Sequence, residues 1–219
     1  MEYIHFLLEL LSNTKEVLEN LTAQYPNFIY GILFLIIFVE TGLVIMPFLP
    51  GDSLLFTAGM LCAIGAGALN IWILVPLLII AAILGDNVNY YVGKYFSTKV
   101  LALKFRGKPM VKQEWIDEVH KYFEHYGSKT IVIARFMPII RTITPFVAGI
   151  GNMSHNVFLL YNIIGAIIWV GTITIAGYAL GNVKWVEDNL EKIIIGIVFV
   201  SVLPMLLKIG SATLKKIKG

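Results

Sequence analysis

Two stretches of this chain, Pro47 to Ala68 and Thr130 to Gly151, are apolar enough to lie in a bilayer yet hold residues that fit there badly. The first contains Pro47, Pro50, Asp52 and four glycines, with Gly51 next to Pro50; the second contains Pro138, Pro145, Arg135 and Arg141. Proline removes a rung of the helix ladder, and broken backbone at membrane depth persists only where protein or enclosed water satisfies it. A charge at the bilayer centre costs roughly 2.5 to 3.5 kcal/mol on a simple spanning helix. Glu40 sits in the apolar run just upstream. Two acids, Glu40 and Asp52, and two bases, Arg135 and Arg141, therefore predict a polar cavity lined by protein inside the membrane.

Four other runs are apolar for long enough to span: Phe28–Met46, Ile71–Val92, Val157–Leu180 and Ile193–Leu207, the last short and so tilted or matched by local thinning. With 58% hydrophobic residues among 219, the chain has more apolar surface than one soluble core would bury. It reads as an all-α, polytopic integral membrane protein. The N-terminus lacks a basic leader region and a small-residue cleavage site, so no signal peptide is expected. Residues 1–25 read instead as an amphipathic interfacial helix, with Leu7, Leu8, Leu11 and Leu18 at helical spacing among Glu9, Lys15, Glu16 and Glu19. A second such helix is expected from Val111 to Tyr126, where Trp115, Val119, Tyr122, Phe123 and Tyr126 form the apolar face. Residues 26–182 then make the main membrane domain, and 183–219 a last spanning helix with a basic tail.

Charge decides the predicted topology. Lys94, Lys99, Lys104, Arg106, Lys108 and Lys112 load the central loop, Lys208, Lys215, Lys216 and Lys218 load the C-terminus, and Glu187, Asp188 and Glu191 make an acidic loop between them. The positive-inside rule puts the first two in the cytoplasm and the third outside. Six spans break that rule at the central loop. Four spans with re-entrant hairpins near 47–68 and 130–151, entering from opposite faces, obey it and leave both termini cytoplasmic. Opposed hairpins are what an inverted repeat produces, and there is an internal echo: Met46-Pro47 followed by Phe56-Thr57-Ala58-Gly59 resembles Met137-Pro138 followed by Phe146-Val147-Ala148-Gly149. Transporters built this way place their sites near the midplane, between the repeats.

Several motifs in order resemble one family. They are Glu40-Thr41-Gly42 through Phe48-Leu49-Pro50-Gly51-Asp52-Ser53, Gly85-Asp86-Asn87-Val88-Asn89-Tyr90, Ala134-Arg135-Phe136-Met137-Pro138-Ile139-Ile140-Arg141, Ala148-Gly149, and Tyr161-Asn162 to Gly165-Ala166. On these the chain resembles the bacterial DedA family, also called the SNARE-associated or VTT superfamily. The resemblance implies a bacterial cytoplasmic-membrane protein and proton-dependent transport. It also implies that undecaprenyl phosphate, a polyprenyl-phosphate lipid carrier, is the substrate. Its functional acids and arginines fall on Glu40 and Asp52 and on Arg135 and Arg141.

Arginine's planar fork suits phosphate, and Arg135 and Arg141 flank Pro138, where a helix break would let them converge. At rest Glu40 and Asp52 are expected to neutralise Arg135 and Arg141, and proton uptake by the acids to free the arginines. The bland alternative is that these pairs only hold the hairpins together. Asp86, Asn87 and Asn89 extend the polar path or act as glue between helices. Gly177 and Gly181 read as packing within the bundle, and Cys62 as a small buried residue. His120 and His125 are five apart, off the spacing for one helix face, so no metal is expected. No cofactor, nucleic-acid footprint or nucleophile with its base is evident, and nothing indicates an oligomer. The expected function is a flippase for a polyprenyl phosphate or related anionic lipid, with protons and lipid as partners. The alternatives are a proton-coupled small-cation antiporter, an uncoupled phospholipid scramblase or scaffold, and, least favoured, a membrane enzyme.

Overall fold

The computed structural model describes residues 28–43, 51–65, 69–105, 108–109, 111 and 113–189, with the single positions 18, 20, 24 and 196. In chain order its elements are α1 (Ile29–Gly42), α2 (Gly51–Ile64), α3 (Ile71–Ala102), a two-residue ladder of β1 (Lys104–Phe105) and β2 (Lys108–Pro109), α4 (Gln113–Tyr126), a 3-10 turn at Gly127–Lys129, α5 (Thr130–Ala134), α6 (Pro138–Ile150), α7 (His155–Leu180) and α8 (Lys184–Asp188). Apart from the small ladder in the basic loop, the described chain is helical. Expected features at residues 1–17, Pro47, Pro50 and Ile193–Leu207 lie outside the described residues.

Among the described residues, α3 and α7 are the two helices long and apolar enough to cross a membrane. Asn70 starts α3, its side-chain oxygen accepting from the Trp72 N–H at 2.9 Å. At 32 residues this helix is about 48 Å long, against a hydrocarbon core of about 30 Å. It therefore runs ten residues past its expected end at Val92 and carries Lys94 and Lys99 out of the apolar zone. Ile73, Ile80, Leu84 and Val88 on α3, and Leu160, Ile164, Ile167 and Ile175 on α7, stay exposed and form stripes suited to hydrocarbon.

The first hairpin departs from expectation. The Tyr30 hydroxyl accepts from the Asn70 N–H at 2.7 Å, so α1 and α3 start at the same end. They then run side by side to the close approach of Gly42 and Gly85. The start of α2 lies against the Glu40 carboxylate near the end of α1, and α2 returns toward Asn70. α1 and α2 therefore run antiparallel to each other, where a separate span over Phe28–Met46 followed by a hairpin at 47–68 was expected. Length explains the difference, since a helix of 14 residues reaches only about 21 Å. In the second stretch α5 and α6 run antiparallel about a break at Arg135–Met137, and Pro138 occupies the first turn of α6, where its missing N–H costs nothing.

Each pair packs one arm on each long helix. α1 lies on α3 and α2 on α7, whereas α5 lies on α7 and α6 on α3. The internal echo is the contact that makes this exchange. A Cβ on Gly59 would come within 2.1 Å of the Thr174 carbonyl oxygen, and one on Gly149 within 2.1 Å of the Tyr90 carbonyl oxygen. Gly177 and Gly93 meet the Phe56 and Phe146 carbonyls in the same way. Gly181 packs on Met60 and Ala63, again inside the bundle.

The largest core cluster joins Leu33, Ile37, Leu54, Leu55, Leu74, Leu78 and Trp169, with Leu18 buried among them. Cys62 is half-buried at its edge rather than enclosed. A second cluster seats α4 on α5 and α6 through Ile116, Val119, Ile140, Ile143 and Val147. The α4 face expected to lie on lipid is thus largely covered by protein, with Trp115, Tyr122 and Phe123 half-buried, while Tyr126 is exposed.

Candidate functional site

The turns of the two helix pairs carry opposite charge. Glu40 and Asp52 flank the break between α1 and α2, and Arg135 and Arg141 flank the break between α5 and α6. Arg141 bridges them: its Nη2 donates to Glu40 Oε1 at 2.5 Å and its Nη1 to Asp52 Oδ1 at 2.8 Å. The Glu40 and Arg141 side chains are almost fully enclosed, whereas Asp52 keeps 16% of its exposure, so the cluster has one wetter end. Gly51 is required by this geometry, because a Cβ there would sit 1.9 Å from Glu40 Oε2. Pro145 offers no N–H to the carbonyl of Arg141 one turn earlier, which leaves that turn of α6 with one fewer rung.

Arg135 does not pair with the opposite turn. Its Nη2 donates to Asp86 Oδ2 on α3 and to Asn162 Oδ1 on α7, and Arg135 and Asp86 are both buried. Asn162 is held in turn by its own amide, which donates to the Ile83 carbonyl at 3.2 Å. The expected division, with Glu40 and Asp52 shared between the two arginines, is therefore replaced by two groups: Arg141 with both acids, and Arg135 with Asp86. The register of α3 against the second pair decides this, since it brings Asp86 beside the break.

Trp169 joins the groups. Its indole Nε1–H donates to Asp52 Oδ1 at 2.9 Å, and its ring lies 4.6 Å from the Arg141 guanidinium carbon and 5.7 Å from that of Arg135. Neither Trp169 nor Asn162 was expected as a site residue. The signal for both is their place on the small-residue face of α7, where Asn162, Gly165, Ala166, Trp169 and Val170 recur at helical spacing and all are buried. On α3 the same spacing selects Asp86 and Asn89. Asn89 donates to the Thr41 and Thr142 carbonyls at 3.2 and 2.7 Å and ties the two pairs together. Asn87 points elsewhere: its Oδ1 meets His155 Nε2 at 2.8 Å, and it is not part of the cluster.

The site holds three carboxylates and two guanidiniums, so with all of them ionised its formal charge is 2 − 3 = −1. One proton balances it. Several buried polar atoms have no hydrogen-bond partner: Arg135 Nε and Nη1, Arg141 Nε and Asp86 Oδ1. Buried groups of this kind call for an explanation, and a site that exchanges ligands supplies one.

The VTT domain family matches residues 49–179, a stretch that holds Asp52, Asp86, Arg135, Arg141, Asn162 and Trp169. The chain is 46% identical over 209 residues to Protein DedA of Escherichia coli K12, covering 95% of this chain and 94% of that one. An uncharacterized membrane protein of Mycobacterium leprae is 47% identical over 172 residues, 78% of this chain and 75% of its own. The inner membrane protein YqjA of E. coli K12 is 34% identical over 191 residues, 83% and 80% of the two chains. No solved structure matches. With the family model spanning more than half its length and the identity to Protein DedA extending almost end to end, this chain is a membrane protein of the DedA family.

Proposed function

We propose that this protein moves the phosphate headgroup of a polyprenyl phosphate, undecaprenyl phosphate or a related anionic lipid, across the bacterial cytoplasmic membrane, and that protons drive it. In this reading the helix pairs α1–α2 and α5–α6 are re-entrant hairpins entering from opposite faces, and α3 and α7 cross. The observation that carries it is the meeting of an acidic turn and a basic turn inside an apolar bundle, with buried guanidinium N–H groups left over. Such donors suit a phosphate, and the surplus carboxylate suits a proton. The lipid tail stays in hydrocarbon along the exposed stripes of α3 and α7, so only the headgroup passes the polar cluster. The activity is transport, with no covalent step.

By the positive-inside rule the end of α3 that carries the basic loop is cytoplasmic. The start of α1, which sits with the start of α3, is then outside. This reverses the expected side for Phe28.

The surplus carboxylate also favours one rival, a proton-coupled antiporter of small cations with structural arginines. Binding separates the two. Detergent-purified protein is expected to bind undecaprenyl phosphate over undecaprenol and over neutral phospholipid, and proteoliposomes to move it faster under an imposed pH gradient. Equal binding of phosphate and alcohol removes the lipid-phosphate reading and promotes the antiporter. Movement that is indifferent to the gradient leaves an uncoupled scramblase.

A further inference from the structure

We infer that the two arginines have different jobs: Arg135 receives the anionic headgroup, and Asp86 is the acid that occupies it at rest and releases it on protonation. This rests on the transport reading above. Arg141 spends both terminal nitrogens on acids from the opposite turn, and the Trp169 ring lies 4.6 Å from its guanidinium carbon. It is a clasp between the helix pairs. Arg135 spends only Nη2, while Nε and Nη1 are buried without partners. Each guanidinium spends two of its five N–H donors, but Arg135 spends both from one nitrogen and so keeps two nitrogens wholly unpartnered for incoming oxygens, where Arg141 keeps one.

The charges point the same way. Arg135 has one anionic partner, since Asn162 is neutral, and Arg141 has two. The groups acting on Asp86 are Arg135 from the break after α5, Arg141 from α6 and Glu40 from α1, with neutral Asn162 from α7 on the same Arg135 nitrogen. An anion arriving at Arg135 meets a like charge on Asp86, which weakens its binding while that carboxylate stays ionised. A proton taken up on Asp86 Oδ1, the oxygen without a partner, removes that conflict and leaves Arg135 with an uncompensated positive charge. Deprotonation restores the pair and expels the headgroup. Asp86 thereby couples the uptake of one proton to the binding of one headgroup and the loss of that proton to its release, in a residue that neither the acid–base pairing at the turns nor the prolines single out.

The test uses the purified full chain, undecaprenyl phosphate as probe and undecaprenol as control. The readout is the ratio of Asp86→Asn to wild-type affinity at each pH, in which the titration of the phosphate itself cancels. The ratio is expected to be on the order of ten at alkaline pH, equivalent to about one pKa unit of charge interaction, and to fall to about one at acid pH. Asn162→Asp adds a second acid to Arg135 and is expected to do the opposite, weakening alkaline binding and recovering as the pH falls; it carries the test if Asp86→Asn fails to fold. A ratio that is flat with pH overturns the inference, because a merely structural ion pair gives no pH signature of its own. Infrared difference spectra between acid and alkaline pH supply a readout without lipid. Loss of a protonated-carboxyl C=O band in Asp86→Asn supports the assignment even if wild-type protein shows no phosphate preference and the transport reading falls, and an unchanged band overturns it.

Discussion

Four glycines make the helix exchange between the two halves, and replacing each by alanine tests whether that contact is as tight as it looks. At Gly59, Gly93, Gly149 and Gly177 an added Cβ would stand 2.1 Å from a carbonyl oxygen of the facing helix. Ordinary contact begins at about 3.4 Å, so the helices have to part by roughly 1.3 Å along a seam that small residues keep close. Overpacking of this kind costs about 1 to 3 kcal/mol, which exceeds the roughly 0.5 to 1 kcal/mol that alanine gains over glycine inside a helix. Gly31 and Gly171 are built-in controls: they also lie inside helices, but an added Cβ meets nothing within 4 Å. The expected result is that all four seam variants unfold earlier than wild type in detergent melts, by similar amounts for the α2–α7 and α3–α6 crossings. Gly31→Ala and Gly171→Ala are expected to unfold slightly later. A seam variant as stable as wild type, or a control as damaged as the seam, refutes the reasoning.

Three further outcomes are expected. Glu40→Gln and Asp52→Asn each remove one charge from the Arg141 clasp and leave Asp86 untouched, so the transport that remains in either variant is expected to keep its dependence on the proton gradient; loss of that dependence in either one moves the coupling proton from Asp86 to these acids. Trp169→Phe keeps a ring beside Arg141 but removes the N–H donated to Asp52, a bond to a charged group worth about 1.5 to 3 kcal/mol, and its thermal unfolding reads that loss directly. In a Cys62→Ala background, single cysteines at the exposed positions Phe28, Trp72 and Trp185 are expected to react with an impermeant thiol reagent from outside intact cells, and one at Tyr95 to be shielded; labelling of Tyr95 from outside defeats the re-entrant arrangement.

The charged members of the site were legible in the sequence because burying a charge in an apolar run has no cheap explanation other than a partner. Which partner was not legible. Arg135 lies 49 residues from Asp86 and 27 from Asn162, and those pairings follow from the register of three helices packed together, which no local spacing encodes. Trp169 was hidden for a different reason: a tryptophan in an apolar helix looks like core, and only its hydrogen bond to Asp52 tells it from one. Asp86 and Asn89 share a helix face and Asn87 does not, a distinction that the three-residue spacing already contains. Of the long helices, α7 was found to within two residues, whereas α3 runs ten residues past its expected end. The first hairpin was misplaced because the apolar run from Phe28 to Met46 is long enough on paper to span, whereas the helix ends at Gly42 and its partner turns back.

The exchange of arms between halves also constrains how the chain is made. α2 ends at Ile64, yet the helix it packs on, α7, does not begin until His155, and the base that holds its Asp52 is Arg141. A nascent chain that has delivered only its first half therefore has Asp52 without Arg141 and Trp169, and Phe56 without Ile173, Ala176 and Val186. Each half is therefore expected to lack part of its packing until the other is made. Insertion has to keep the first hairpin provisional until α7 arrives, and a break between the halves is expected to be tolerated only where both pieces are present together. A protein cut in the basic loop should be recovered by co-expression of its fragments and by neither fragment alone.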